Sequence, residues 1–206
     1  MRVARLTLGF VAGAALALAA AALAWADVPT HEPDDMALGS PRAPVTVIEY
    51  ASVGCPHCAA WNNTIFPAFK AKYILTGRVR YVVREMITGS PEVATAGFMI
   101  ARCAAPAKYF TVIDDVYRRQ AEMFVSGPAA GQVLKEIAKS AGLDETAFEA
   151  CLDDQKGLDA LNARTTRNGQ SVASTPTFFV NGRQVPEGEH TLAQLGAAIQ
   201  AARPIR

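Results

Sequence analysis

The chain has 206 residues, 50% of them hydrophobic and 19% charged, with four cysteines and a formal net charge of +1. That length can bury a core without covalent staples, and the composition excludes a disordered chain and a small disulfide scaffold. The near-neutral charge leaves no electrostatic footprint for nucleic acid or for an acidic partner.

Arg2 and Arg5 precede an apolar, Ala-rich run from Leu6 to Leu23. Ala24-Trp25-Ala26 closes it with small residues at the two positions a signal peptidase reads. Residues 1–26 therefore read as a secretory signal cleaved after Ala26. The run is long enough to span a bilayer, so an uncleaved anchor is the rival reading. It holds no cysteine for a lipid, and the two arginines are not adjacent as a twin-arginine signal requires. Cleavage removes only these two charges and leaves residues 27–206 with a net charge of −1. Export to the periplasm places Cys55, Cys58, Cys103 and Cys151 in an oxidising compartment.

Residues 27–44 are polar, carry four prolines and read as an extended lead-in. Val45-Thr46-Val47-Ile48-Glu49-Tyr50 is β-branched and apolar on both faces, as a central strand is. Ser52-Val53-Gly54 leads into Cys55-Pro56-His57-Cys58, and Pro56 suits a first helical turn. Cys58, Trp61, Ile65, Phe69 and Tyr73 step by three or four, which predicts a helix over 56–75 ended by Gly77. Pro67 should kink it, having no N–H to give to Asn63. Val79-Arg80-Tyr81-Val82-Val83-Arg84 is the next strand, so the three elements form a right-handed βαβ unit.

From Arg84 to Thr177 the pattern is helical. Met99, Ile100 and Cys103 share one face, and Phe110, Ile113 and Tyr117 share another after Pro106. Val133, Leu134, Ile137 and Ala141 form a third stripe ended by Gly142; Phe148, Cys151 and Leu152 form a fourth. These are core-facing stripes and not cofactor boxes. Thr177-Phe178-Phe179-Val180 then reads as a strand, Asn181-Gly182 as a tight turn, and Arg183-Gln184-Val185 as the returning strand. Thr191 caps a last helix with Leu192, Leu195 and Ile199 on one face. The chain is thus an α/β domain, residues 45–88 and 172–206, interrupted by a helical insertion at 89–171.

Cys-x-x-Cys at a strand-to-helix junction is a redox motif. Cys55 falls at the N-cap, where unpaired N–H groups and the helix dipole favour a thiolate. His57 adds a donor or a positive charge beside it. Cys58 lies one turn in, on the apolar face. Cys55 is then the exposed attacking and attacked sulfur, and Cys58 resolves the mixed disulfide. A zinc half-site is the first bland alternative, but the second close pair of ligands is absent from the sequence. A purely structural disulfide is the second, against which the small ring and ionising position argue. Cys103 and Cys151 lie on apolar helix faces and are expected to pair, closing a 48-residue separation; two buried free thiols are the alternative. Glu49, six residues before Cys55 on a doubly apolar strand, is a buried acid able to exchange a proton with Cys58, or else a strand-end carboxylate reaching water. His31 and His190 fall in polar, turn-like text and are given no role. Asn62-Asn63-Thr64 matches a glycosylation sequon, but inside the predicted helix it reads as chance.

Ile48-Glu49-Tyr50, Cys55-Pro56-His57-Cys58 and Ser174-Thr175-Pro176-Thr177-Phe178-Phe179-Val180-Asn181-Gly182 resemble the DsbA-like thiol:disulfide oxidoreductases, as does Leu38-Gly39-Ser40-Pro41-Arg42-Ala43-Pro44-Val45. The resemblance covers nearly all of the chain after residue 26. It implies a thioredoxin fold with an inserted helical subdomain and a periplasmic oxidase that donates the Cys55–Cys58 disulfide to reduced, unfolded exported proteins. It further implies a DsbB-like membrane quinone reductase as recycling partner; a monomer with no bound cofactor or metal and no nucleic-acid partner completes the reading. In that family the proline matching Pro176 is cis and faces the redox cysteines, leaving Thr175 to pair with a substrate strand. A trans proline opening a strand is the alternative. Two other functions remain open. An isomerase or reductase on the same fold is favoured by Thr175 before the proline and disfavoured by the short stretch 27–44, which leaves no room for a separate dimerising domain. A non-catalytic metal-binding protein would use the same cysteine pair.

Overall fold

The computed structural model describes residues 29–125, 127–186 and 190–202. The signal segment 1–26, its cleavage after Ala26, and residues 27 and 28 of the lead-in lie outside the described residues. Among the described residues, five strands form one mixed sheet in the order β1-β3-β2-β4-β5. They are β1 (Met36–Leu38), β2 (Val45–Ala51), β3 (Val79–Glu85), β4 (Thr177–Val180) and β5 (Arg183–Gln184). The apolar text of β2 has its cause in this order. β2 lies between parallel β3 and antiparallel β4, and each of its residues is buried. β1, at the edge, pairs antiparallel with β3. It falls within the lead-in, where three residues are too few to show a period. The β4–β5 turn has Asn181 at φ 48° and Gly182 at φ 85°, the pair of positive angles that an Asn-Gly hairpin supplies.

The sheet has two unequal faces. Val47, Ala51, Tyr81 and Val83 join the main core with Phe178 and the helices, whereas Ile48, Tyr50, Val82 and Phe179 form a smaller cluster on the other side. The helix after β2 is broken: α1 (Pro56–Thr64) gives way at Ile65 to α2 (Phe66–Phe69) and a π-helical turn at Lys70–Ile74. The interruption falls two residues before Pro67, which has no N–H to give to Asn63. Trp61 fills the space beneath α1, its ring 4.7 Å from Phe178 and 5.7 Å from Phe66 between centroids.

The insertion contains α3 (Pro91–Cys103), α4 (Tyr109–Phe124), α5 (Gly127–Ser140), α6 (Glu145–Leu152) and α7 (Gln155–Gly169), before the final helix α8 (Leu192–Ala201). Ser90 and Asp144 cap α3 and α6, and Thr191 forms a reciprocal capping box with Gln194 at α8. Cys103 at the end of α3 is joined to Cys151 of α6 by a disulfide, with Cα atoms 6.0 Å apart. No helix among the described residues is long and apolar enough to cross a membrane.

One buried acid ties the insertion to the sheet. Glu85, at the end of β3 and 1% exposed, accepts from Arg102 Nε of α3 at 2.6 Å, Arg164 Nε of α7 at 2.6 Å and Tyr109 Oη of α4 at 2.9 Å. Its backbone carbonyl accepts from Asn168 Nδ2 at 2.9 Å. Breaking such a cluster from one side leaves two guanidinium groups without their carboxylate. Glu85→Ala is therefore expected to lower stability by about 3–5 kcal/mol in chemical denaturation. A loss below about 1 kcal/mol, the range of an exposed ion pair, would show that the cluster does not anchor the insertion.

Candidate active site

Cys55 is the N-cap of α1, with extended backbone angles (φ −93°, ψ 123°), no side-chain capping bond, and Pro56 behind it. Pro56 has no N–H, so the free donors at this helix end belong to His57 and Cys58. The Cys55 sulfur is held at about 5, down from an ordinary 9.0. The hydrogen bond from the Cys58 thiol is the largest cause. Burial opposes it, and the Thr175 side chain and the N–H groups of Cys58 and His57 add to the pull. His57 thus acts on Cys55 through its backbone, while its side chain is exposed. The structure corrects one expectation: Cys55 is only 6% exposed. Loops on three sides enclose it, and its thiol lies 3.5 Å from the Thr175 carbonyl.

Cys58, one turn in, is completely buried. Burial above all, then its bond to Cys55 and the charges of Glu49 and Cys55, push it well above the ordinary thiol range. Both cysteines are unbridged in this structure. Glu49 is 2% exposed and points into the main core, where the Tyr81 hydroxyl donates to its Oε2. Burial pushes it up to about 8; the bond from Tyr81 pulls it down, and the Cys55 thiolate adds a further push. Tyr81 carries no signal in the sequence beyond strand text. Tyr117, also fully buried, faces the same charges of Cys58 and Glu49, and its hydroxyl has no hydrogen-bond partner among the described residues.

Three chain segments meet at Cys55. Ser52 Oγ donates to Thr88 O at 2.8 Å and accepts from Gly54 N and Thr88 N, both at 3.2 Å. Ser90 N donates to Gly54 O at 3.0 Å. The backbones touch so closely that a Cβ on Gly54 would meet Ser90 O at 2.3 Å, and one on Gly89 would meet Gly54 O at 2.0 Å. Gly89 also has φ +74°, so both contact and angle demand glycine there. Thr175-Pro176 is cis and completes the ring, with Thr175 Oγ1 2.6 Å from Thr88 Oγ1. From the insertion, Gln120 Nε2 of α4 donates to Val53 O at 2.8 Å.

Beside this ring opens a groove of about 470 Å³ lined by His57, Trp61, Ile65, Thr175, Pro176 and His190 among others. His190 departs from the sequence reading of a polar turn. It is 6% exposed with φ 46°, its carbonyl accepts from Trp61 Nε1 at 2.9 Å, and its ring lies 4.8 Å from Phe178. His31 is exposed in the lead-in. Asn62 and Asn63 are used in helix packing, donating to Asp114 Oδ1 at 2.8 Å and Tyr117 O at 3.2 Å. Among the described residues no group of three or more His, Cys, Asp or Glu could hold a metal ion.

A strand-to-helix dithiol facing a cis-proline, on a mixed sheet with a helical insertion, defines a thioredoxin-fold redox protein. The thioredoxin family model matches residues 31–201, and the chain belongs to that family, within its DsbA-like members. A Rickettsia felis protein named "Putative protein-disulfide oxidoreductase" is 33% identical over 171 residues. The match spans 82% of this chain and 60% of that relative, so the chain covers about three fifths of the relative's length. The crystal structure of alpha-DsbA1 from Wolbachia pipientis superposes with a TM-score of 0.74 at 26% identity, over 82% of this chain and 91% of that one. Oxidised BdbD from Bacillus subtilis shares the fold, with a TM-score of 0.70 at 20% identity over 81% of this chain and 91% of that one.

With Cys55 held at about 5, alkylation of the reduced protein should rise with pH around 5 and flatten by neutrality, labelling Cys55 and sparing Cys58. The linkage has a definite sign. A thiol depressed in the folded state adds stability that is full above about 9 and is lost as pH falls through about 5. The melting temperature of the reduced form should therefore gain on that of the oxidised form between pH 4 and pH 7. Preferential labelling of Cys58, or an inflection at the ordinary thiol pKa, would contradict the arrangement.

Proposed function

We propose that this chain is a periplasmic protein dithiol:disulfide oxidoreductase that donates its Cys55–Cys58 disulfide to exported proteins during oxidative folding. The observation that carries this reading is the placement of two thiols three residues apart, Cys55 at the N-cap against the cis Thr175-Pro176 segment and Cys58 one turn deeper and completely buried, which holds Cys55 at about 5 and pushes Cys58 well above the ordinary range. A stabilised Cys55 thiolate favours the reduced pair, so the disulfide form gives up its bond readily.

A substrate thiolate attacks Cys55 Sγ, forming a mixed disulfide and breaking the bond to Cys58. The electron pair leaves on Cys58 Sγ, which takes a proton from the Glu49 carboxyl in the dry interior. A second substrate thiolate attacks the substrate sulfur of the mixed disulfide and releases Cys55 as the stabilised thiolate. The substrate has lost two electrons and gained a disulfide; the protein holds those electrons as its dithiol. A DsbB-like membrane quinone reductase takes them and restores the Cys55–Cys58 bond. The protein acts as a monomer after removal of residues 1–26. The groove beside Thr175 and Pro176, with Trp61 and Ile65 in its lining, suits an extended apolar segment of an unfolded chain. The name of the Rickettsia felis relative, a protein-disulfide oxidoreductase, supports the same activity. A disulfide isomerase or reductase is the second reading, favoured by Thr175 before the proline.

Two assays separate these readings. The oxidised protein should rapidly oxidise a reduced unfolded substrate and poorly reshuffle a scrambled one. The Cys58→Ala variant should accumulate mixed disulfides through Cys55. Efficient reshuffling with slow oxidation would replace the oxidase reading with the isomerase one. Absence of any mixed disulfide on Cys55 would remove both.

A further inference from the structure

We propose that the pole of the sheet opposite the redox site is a reversible docking surface for an anionic phospholipid bilayer. The inference stands apart from the oxidase reading and needs no chemistry at Cys55.

The register fixes which groups share this pole. β2 and β3 run parallel, with Val45 opposite Val79 at their entry and Ala51 opposite Glu85 at their exit. Cys55 follows the exit of β2. The loops entering the two strands therefore lie at the other end, about 20 Å away along the seven residues of β2. One entry loop, residues 39–44, carries Arg42. A Cβ on its Gly39 would meet Val79 O at 2.6 Å and Ile74 Cγ2 at 3.1 Å, so this loop lies against the other. The second runs from the π-helical turn into β3 and carries Lys70, Lys72, Leu75, Arg78 and Arg80. Lys72 Nζ and Arg78 Cζ lie 5.3 and 5.2 Å from the centre of the same Tyr73 ring, so these two cations meet on one side chain. The β4–β5 turn reaches the same pole, where Asn181 N donates to Thr46 O at 2.9 Å, and it adds Arg183.

These segments hold charge of one sign. No Asp or Glu occurs between Glu49 and Glu85, in residues 39–44 or in residues 177–184. Among the described residues, none of the six cations of the pole forms an ion pair, whereas Arg84, Arg102, Arg119 and Arg164 elsewhere each pair with a carboxylate. The near-neutral net charge of the chain thus conceals a segregated positive field. Leu75, between Lys72 and Arg78, is 72% exposed. A single exposed leucine needs no explanation by itself. Its position among unpaired cations selects the partner. A polyanion such as a nucleic acid is drawn by the cations and has no use for the leucine. A bilayer with anionic headgroups takes both, the cations against the phosphates and Leu75 at the boundary with the acyl chains. This pose leaves Cys55 and its groove open to solution, and screening by salt makes the attachment reversible.

The test is co-sedimentation of the protein with vesicles of phosphatidylcholine alone and of phosphatidylcholine with about one third phosphatidylglycerol. The protein should bind the second and not the first. Raising salt from about 0.1 to about 1 M, which shortens the Debye length from about 10 to about 3 Å, should release it. Each cation near such a surface contributes about a fivefold factor, so Lys70→Gln/Lys72→Gln/Arg78→Gln should weaken binding by on the order of 100-fold. Lys108→Gln/Lys139→Gln/Lys156→Gln, the same change in charge on exposed lysines of the insertion, should leave binding unaltered. Leu75→Ser should weaken it about tenfold. Equal binding to the two kinds of vesicle, or equal losses in the two triple variants, would overturn the proposal. So would a single-stranded oligonucleotide that binds as tightly as the anionic vesicles together with a Leu75→Ser variant that binds both undiminished. Unchanged melting temperatures separate these effects from misfolding. Oxidation of a small soluble dithiol peptide should proceed equally in every variant, so the proposal fails or stands independently of the oxidase assay.

Discussion

The sulfur of Cys55 is allowed to carry a charge, and the sulfur of Cys58, one helical turn away, is not. The rest of the site follows from that difference. At the N-cap, unpaired N–H groups and the Cys58 thiol converge on Cys55 and hold it at about 5. One turn deeper the same helix faces the main core, and Cys58 has no solvent exposure at all. Two identical side chains therefore acquire opposite properties from their position along a single helix. The Cys58 proton is the strongest single donor to Cys55, so the burial that keeps Cys58 protonated also stabilises its partner's charge.

Keeping that charge near the protein surface without bulk water requires rigid surroundings. The sheet ends where the chain turns into α1. At that edge Ser52 satisfies its hydroxyl entirely with backbone groups of two segments, and Gly54 and Gly89 let those segments touch. The insertion contributes to this frame. Gln120 of α4 binds Val53 O in the loop before Cys55, and Glu85 draws α3, α4 and α7 onto the end of β3. Such contacts set the loop that presents Cys55, so the helical subdomain shapes the site as well as covering it.

Much of this fold was legible in local sequence. The doubly apolar text of β2, the Asn-Gly turn after β4, the break near Pro67 and the Thr191 cap each depend on neighbours a few residues away. The Cys-x-x-Cys spacing is equally local. What could not be read depends on distance. Thr88 meets Thr175 across 87 positions, and Tyr81 meets Glu49 across 32, so neither leaves a local pattern. His190 lies in turn-like text, yet its carbonyl is bound by a tryptophan 129 positions earlier. α7 shows no apolar stripe because it buries little beyond Leu161 and Asn168, its attachment being through Arg164 and Asn168 to Glu85. The exposure of Cys55 was misjudged for a related reason. An N-cap is open in an isolated helix, but here distant segments close over it.

The buried carboxyl of Glu49 fits the proton traffic that such a pair requires. Closing or opening the Cys55–Cys58 bond moves a proton at Cys58, in a place water does not reach. Glu49 is coupled electrostatically to both cysteines, and the Cys55 thiolate raises its affinity for a proton. The coupling is reciprocal, as linkage requires. In the proposed exchange the mixed disulfide removes the Cys55 charge, so Glu49 would give up its proton more readily at the stage when the departing Cys58 needs one. Release of Cys55 as a thiolate would raise the affinity of Glu49 again and let it take up a proton from the surroundings. A carboxyl fixed well below neutrality would have no proton to give, and one fixed far above it would not part with it. Burial and the bond from Tyr81 act in opposite directions and leave Glu49 near 8, within reach of both demands.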